Sequence, residues 1–115
     1  MLGLKAGAYA RRKLAASPFE LRARVFCPAG LPYTCFLDGI QFSSGCTMGK
    51  GNISHYCTRE CRVEFTREGS RSRIRVAVRP EVWDELDSRP CGGMAGAARL
   101  GREFARRRLE ELFTI

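Results

Sequence analysis

The chain has 115 residues, 44% of them hydrophobic, and carries a formal net charge of +8. This length predicts a single domain over residues 1–115 that can bury its own core. No run approaches the roughly 18 apolar residues of a membrane-spanning helix, and the N-terminus lacks the apolar stretch and cleavage site of a signal peptide. The sequence therefore predicts a cytoplasmic protein without a membrane partner.

The first part of the chain predicts a helix, a strand and a second helix. The first helix is predicted over residues 2–15 from apolar residues at a spacing of four: Leu2, Ala6, Ala10 and Leu14. Gly3 and Gly7 lie on an adjacent row and would allow close packing against another element. Alternation of apolar and polar residues predicts a half-buried strand over 20–27, and residues 35–43 predict a short helix.

The second part predicts strands over residues 53–57, 61–67 and 71–79. Pro80 then begins a helix that runs to residue 86, since proline is favourable in a first turn. A flexible break over residues 89–93 precedes a terminal helix predicted over residues 94–113. The resulting order predicts an α+β fold in which helices pack on an antiparallel or mixed β-sheet.

The strand predicted over residues 71–79 has one apolar and one basic side. Its apolar residues are Ile74, Val76 and Val78, and its basic residues are Arg71, Arg73, Arg75 and Arg79. A row of arginines on a strand is typical of a solvated sheet face. An anion-binding face or a contact between subunits is the functional alternative.

The most unusual chemistry lies in GCTMGKGN, residues 45–52, which we call the glycine loop. Glycines at this density allow tight turns that bring backbone N–H groups towards a bound group. A cysteine in such a turn can meet a partial positive field that favours its thiolate, so Cys46 is a candidate ligand or reactive thiol. Thr47, Gly49 and Lys50 are candidates for binding a small anionic ligand. The loop lacks the glycine spacing and the hydroxyl residue after Lys50 that a P-loop needs.

The segment DGIQFSSGCTMGKGNI resembles the signature of the E-subunit family of formylmethanofuran dehydrogenase, in which a D-x-I-Q helix runs into a G-C-T-x-G-K-G-N loop. Weaker resemblance extends over most of the chain. Members usually have a His-x-Cys-Pro element before the first helix, and many have a zinc module after the core. The chain resembles the core domain without either. The family name implies one-carbon metabolism and a molybdenum or tungsten enzyme as partner.

The resemblance also implies a metal site beside Cys46. Cys35 and Asp38 begin the adjoining helix, and His55 follows the loop. We therefore predict Cys46, Cys35 and His55 as metal ligands, with water or a second subunit completing the shell. Zinc is the predicted metal, with iron as the alternative, because thiolate and imidazole suit both. A homodimer is also predicted.

The remaining cysteines are Cys27, Cys57, Cys61 and Cys91. A reducing compartment favours thiols over disulfides. Cysteine is also among the most buried residue types, so these four are predicted to be inert core thiols. The spacing from His55 to Cys57 and Cys61 is compact enough to chelate a metal, but it is not a specific motif.

The sequence is consistent with three functions. The first is a metal-associated accessory or binding protein whose site is centred on the glycine loop. The second is a thiol-dependent enzyme or redox switch that uses Cys46 and His55. The third is a basic nucleic-acid-binding module. The sequence disfavours this third function because its basic residues are spread along the chain without an aromatic-interleaved RNA motif.

Overall fold

The computed structural model describes residues 2–30, 33–88 and 93–115. Its helices are α1 (Leu2–Leu14), α2 (Thr34–Ser44), α3 (Pro80–Ser88), α4 (Gly93–Arg106) and α5 (Leu109–Leu112). Its strands are β1 (Leu21–Cys27), β2 (Ile53–Cys57), β3 (Arg62–Arg67), β4 (Arg73–Val78) and β5 (Phe113–Thr114). In these ranges, no helix has both the length and the apolar composition needed to cross a bilayer.

The strands form one mixed sheet in the order β2-β1-β3-β4-β5. β1 and β2 are parallel, and the other neighbouring strands are antiparallel. A parallel pair needs a crossover connection, and α2 with the glycine loop provides it between β1 and β2. The structure thus confirms the predicted α+β fold with helices on a mixed sheet.

The two faces of the sheet differ sharply in composition. On the inner face Val25, Val63 and Val76 are cross-strand neighbours and fully buried in the core shared with α1 and α2. On the outer face, Arg24, which precedes Val25 in β1, lies in a cross-strand row with Glu64 and Arg75. Side chains alternate between the faces of a strand, so the predicted basic side is confirmed for Arg73 and Arg75, whereas Arg71 and Arg79 lie outside β4.

Glycines bring α1 and α2 into close contact. A Cβ atom on Gly39 of α2 would lie 2.8 Å from the backbone nitrogen of Leu4 on α1. The Ser43 hydroxyl lies 3.2 Å from the carbonyl oxygen of Gly3. This confirms the close packing predicted from the first-helix glycines, and it fixes α2 and the loop that follows it.

The predicted helix over residues 94–113 is wrong at its C-terminal end. α4 ends at Arg106, and β5 pairs with β4 through the register Val78–Phe113. The Arg79 N–H donates to the Leu112 carbonyl at 2.9 Å. Residues 113–114 therefore form sheet hydrogen bonds in place of the predicted helical ones. Of the predicted flexible break, residues 89–92 lie outside the described residues, including Cys91.

Candidate functional site at the glycine loop

The glycine loop begins where α2 ends. Gly45 adopts the left-handed conformation at φ 77°, and its N–H donates to the Gln41 carbonyl at 3.1 Å. Residues with a Cβ rarely adopt this conformation. A side chain here would also collide with Pro18, which leads into β1. Gly45 therefore both ends the helix and brings the loop against the start of β1.

Asn52 anchors the other end of the loop from inside the protein. Its amide oxygen accepts from the Thr47 N–H at 2.8 Å. Its amide nitrogen lies 3.1 Å from the carbonyl oxygens of Pro18 and Leu21. Asn52 is buried, so these bonds connect loop and strand away from water. We did not predict this role, although Asn52 belongs to the loop motif.

Ser44 provides a second internal anchor that the sequence did not predict. Its hydroxyl accepts from the Cys46 N–H at 3.1 Å and donates to the Ile40 carbonyl. Ser44 is fully buried. A serine at the end of an amphipathic helix does not by itself signal such a contact.

Cys46 is enclosed at this inner side of the loop. Its side chain is fully buried, and Sγ donates to the Leu21 carbonyl at 3.3 Å. Burial raises the pKa of the Cys46 thiol, and a hydrogen bond with Ser44 and the charges of Lys50 and Arg22 offset this only in part. The expected thiolate is therefore not favoured. The structure gives Cys46 the properties of a neutral core thiol.

The outer side of the loop is exposed, but most of its N–H groups are already paired. Met48 N–H donates to the Gln41 side chain at 3.2 Å, and Lys50 N–H to the Thr47 hydroxyl at 3.3 Å. Gly51 N–H donates to loop carbonyls. An anion nest needs converging free N–H groups. The predicted binding residues Thr47, Gly49 and Lys50 therefore lack such a nest, and their role stays a prediction.

The three predicted metal ligands do not meet within one chain. Cys35 is exposed at the start of α2, whereas Cys46 follows its end, about 15 Å away at the helical rise. His55 is in register with Val25, about 13 Å along β1 from the Leu21 carbonyl that holds Cys46. Within the residues described, no three histidine, cysteine or acidic side chains are arranged to hold a metal.

His55 instead contacts Cys27, which we predicted to be an inert thiol. His55 Nε2 lies 3.3 Å from Cys27 Sγ and 3.1 Å from the Cys27 carbonyl oxygen. The parallel register pairs Cys27 with Cys57. Continuing the antiparallel register past Phe26–Arg62 places Cys61 on its other side. These three cysteines, which we call the thiol row, lie side by side at the end of β1.

The members of the thiol row differ in exposure. Cys27 and Cys61 are buried and Cys57 is exposed. Burial raises the pKa of the Cys27 thiol, and proximity to Cys57 adds to the effect. Burial also strongly raises the pKa of Cys61, with a further contribution from Cys27. The mutual influence of these thiols agrees with the side-by-side placement that the strand register gives.

Comparison with known proteins identifies the family. Residues 1–114 match the family described as FmdE, Molybdenum formylmethanofuran dehydrogenase operon. The chain belongs to the FmdE family. The resemblance that its D-G-I-Q helix and glycine loop indicated is thus confirmed. Among curated proteins, none matches this chain. Membership associates the chain with the operon of that dehydrogenase.

Proposed function

We propose that this FmdE-family chain is an accessory protein that acts by binding, through the outer surface of the glycine loop. The observation that carries the proposal is the contrast between the two sides of the loop. Asn52 and Ser44 satisfy polar groups on its buried side, while Met48 and Lys50 are exposed. A surface held in one conformation before binding loses little conformational entropy on binding.

Large apolar side chains surround this surface. Phe19, Phe42 and Met48 are 77%, 86% and 66% exposed, and the Lys50 ammonium lies 4.6 Å from the centre of the Phe19 ring. We call these four residues the loop patch. Grouped exposed aromatic residues are characteristic of protein interfaces. The only charged residue of the patch is Lys50, and its ammonium already lies over the Phe19 ring. The patch is therefore mainly apolar and suits an apolar partner surface. We propose that this partner is a second copy of the chain.

The oligomeric state tests this proposal. We expect the wild-type protein to be a dimer by light scattering, and Phe42→Ser combined with Met48→Ser to be a monomer. Met94→Ser is the matched control, because Met94 is 91% exposed and belongs to α4, which contributes no residue to the patch. Monomeric wild-type protein would contradict self-association. The dehydrogenase of the operon would then be the partner to examine by co-purification.

Metal association remains part of the proposal in a restricted form. Within one chain the residues do not fit a metal, because Cys46 is a buried thiol bonded to Leu21 and lies far from Cys35. Among the three predicted ligands Cys35 is the exposed one, so zinc or iron would be held by Cys35 together with ligands from a second copy, without Cys46. We expect elemental analysis of the dimer to show a metal that Cys35→Ser removes. An unchanged metal content in this variant would exclude Cys35 as a ligand.

A specific observation favours thiol redox chemistry as a second candidate, at the thiol row rather than at Cys46. Cys57 is exposed and pairs in register with Cys27, which lies beside His55. Neighbouring strands lie about 4.8 Å apart, within the Cα separation that a disulfide spans. Cys57 would attack a peroxide, releasing one water and forming a sulfenic acid. Cys27 would then displace the second water to form the S–S bond, so the peroxide gains the two electrons that the thiols lose.

Mass spectrometry after brief peroxide treatment tests this candidate. We expect wild-type protein to lose two hydrogen masses, with Cys27 and Cys57 in one cross-linked peptide. Cys57→Ser should not form this cross-link. Cys35→Ser, which removes an exposed cysteine elsewhere, should form it normally. A cross-link that excludes Cys27 would overturn the assignment.

A further inference from the structure

The outer face of the sheet, opposite the core, is strongly basic. Its described strand residues include one carboxylate, Glu64, and five arginines: Arg22, Arg24, Arg62, Arg73 and Arg75. Arg62 pairs with Glu64 at 2.7 Å and with Glu60 at 3.1 Å. The other four arginines form no ion pair with any residue that the structure describes, and all four are exposed. The face therefore carries an excess of unneutralised positive charge.

Two aromatic residues lie among these arginines. The rings of Phe26 and Tyr56 are stacked, with centroids 5.0 Å apart and planes at 19°. The guanidinium carbon of Arg24 lies 5.8 Å from both ring centres, and that of Arg62 lies 3.7 Å from the centre of Phe26. Phe26 is covered by this cluster, whereas Tyr56 is 46% exposed. The surface thus offers an aromatic ring and planar cations side by side.

A cavity lies at one end of this face. Its volume is about 550 Å³, and Arg62, Arg75 and Ala77 contribute to its lining from the strands. Arg59 and Trp83 contribute from outside the sheet. The volume falls within the range of small-molecule sites, about 300–1,000 Å³. The lining also has two carboxylates, Glu60, which pairs with Arg62, and Asp84, so the cavity has both charge signs. It extends the aromatic surface beyond the strands and has room for a nucleobase.

We propose that the outer face of the sheet binds single-stranded nucleic acid. Single strands are typically bound by a basic surface that follows the phosphates and by aromatic or guanidinium planes that stack on the bases. Arg24, Arg73 and Arg75 provide the first feature, and Tyr56 beside Arg24 provides the second. An acidic protein would use the charges but would not need the exposed ring. The sequence disfavoured this partner because it has no aromatic-interleaved RNA motif, and Phe26 and Tyr56 meet only through the pairing of β1 with β2.

Fluorescence anisotropy with a labelled oligouridylate of about 12 nucleotides tests the proposal. Arg24→Gln combined with Arg75→Gln should weaken binding at least about tenfold at roughly 50 mM KCl. It should also reduce the slope of log K against log salt by about 1.4, since each lost phosphate contact on a single strand contributes about 0.7. Arg11→Gln combined with Arg12→Gln is the matched control. These exposed arginines on α1 carry the same charge but lie on the helical side of the sheet.

The aromatic part of the proposal needs its own variant. Tyr56→Leu keeps an apolar cover over Phe26 and should weaken binding roughly fivefold or more, without changing the salt slope. Urea unfolding confirms that each variant is folded. Equal losses of binding affinity in the α1 control and in the outer-face variant would overturn the proposal. So would unchanged binding by Tyr56→Leu, or equally tight binding of an RNA duplex or of heparin, since these indicate a polyanion surface without base stacking.

Discussion

The two ends of β1 each hold a buried cysteine, but they give the thiol different surroundings. At the start of the strand, Cys46 donates to the Leu21 carbonyl and is enclosed by the glycine loop. At the end of the strand, Cys27 lies against His55 and beside the exposed Cys57. The Cys46 thiol donates its hydrogen bond to a backbone carbonyl. The Cys27 thiol lies beside an imidazole and beside the solvent-exposed thiol of Cys57.

This comparison shows that membership of a motif does not decide the chemistry of a cysteine. Cys46 belongs to the family's specific loop and yet has the environment of a structural residue. Cys27 belongs to no motif, and although burial raises its pKa as well, it lies beside an imidazole and an exposed thiol. In this structure the buried residues of the motif hold the loop against the start of β1.

The largest effect is expected for Asn52→Ala, at the Cys46 end. The substitution would leave the Thr47 N–H and the Leu21 and Pro18 carbonyls without the amide, in a buried setting. We expect the free energy of unfolding in urea to fall by about 3 kcal/mol. Ser54→Ala, at an exposed position two residues later, should change it by less than about 0.5 kcal/mol. A loss below about 1 kcal/mol for Asn52→Ala would mean that the loop is anchored by other contacts.

Alkylation should separate the thiols at the two ends. In native protein at neutral pH, iodoacetamide should modify Cys57 at least about a hundredfold faster than Cys46, because Cys46 is buried and its pKa is raised. Peptide mapping by mass spectrometry measures both rates in one sample. Exposed Cys35 should react at a rate similar to that of Cys57. The difference in rate between Cys46 and Cys57 should vanish in denaturant. Comparable native rates for Cys46 and Cys57 would show that the loop opens readily.

A smaller effect is expected for the dependence of stability on pH. Burial raises the pKa values of Cys27, Cys46 and Cys61 above their unfolded value of about 8.5. Their stabilising contribution is therefore complete below about pH 8.5 and is lost as the pH rises towards the folded-state values. Each thiol adds at most about 1.4 kcal/mol per pH unit to this decline. Urea titrations from about pH 8 upwards measure this decline in the free energy of unfolding. The decline should be shallower for Cys46→Ala than for the wild type. An identical slope would contradict the assigned burial effect.

Local patterns in the sequence predicted most of the elements correctly. The i+4 spacing from Leu2 to Leu14 gave α1, and alternation gave β1 and β4, because these patterns reflect which side chains face the core. The C-terminal segment failed because its structure depends on a distant partner. The apolar side chain of Phe113 suits a helix or a strand, and pairing of residues 113–114 with β4 selects the strand.

The candidate sites were less predictable, since they depend on strand register. His55 is much closer in sequence to Cys46 than to Cys27, yet parallel pairing of β1 and β2 places it beside Cys27. The same pairing stacks Tyr56 on Phe26 and creates the aromatic cluster on the outer face. No local pattern contains this information, because the register is fixed by packing of the whole inner face.

The sequence by itself determined the family, through the D-G-I-Q helix and the glycine loop, and the α+β class, through hydrophobic periodicity. Only the tertiary structure decided which side chains meet. Helix and strand formation depends on neighbours a few residues away, whereas the surroundings of Cys46, Cys27 and Tyr56 come from segments that the crossover through α2 brings together. The chemistry of each thiol and the character of the outer face therefore follow from packing.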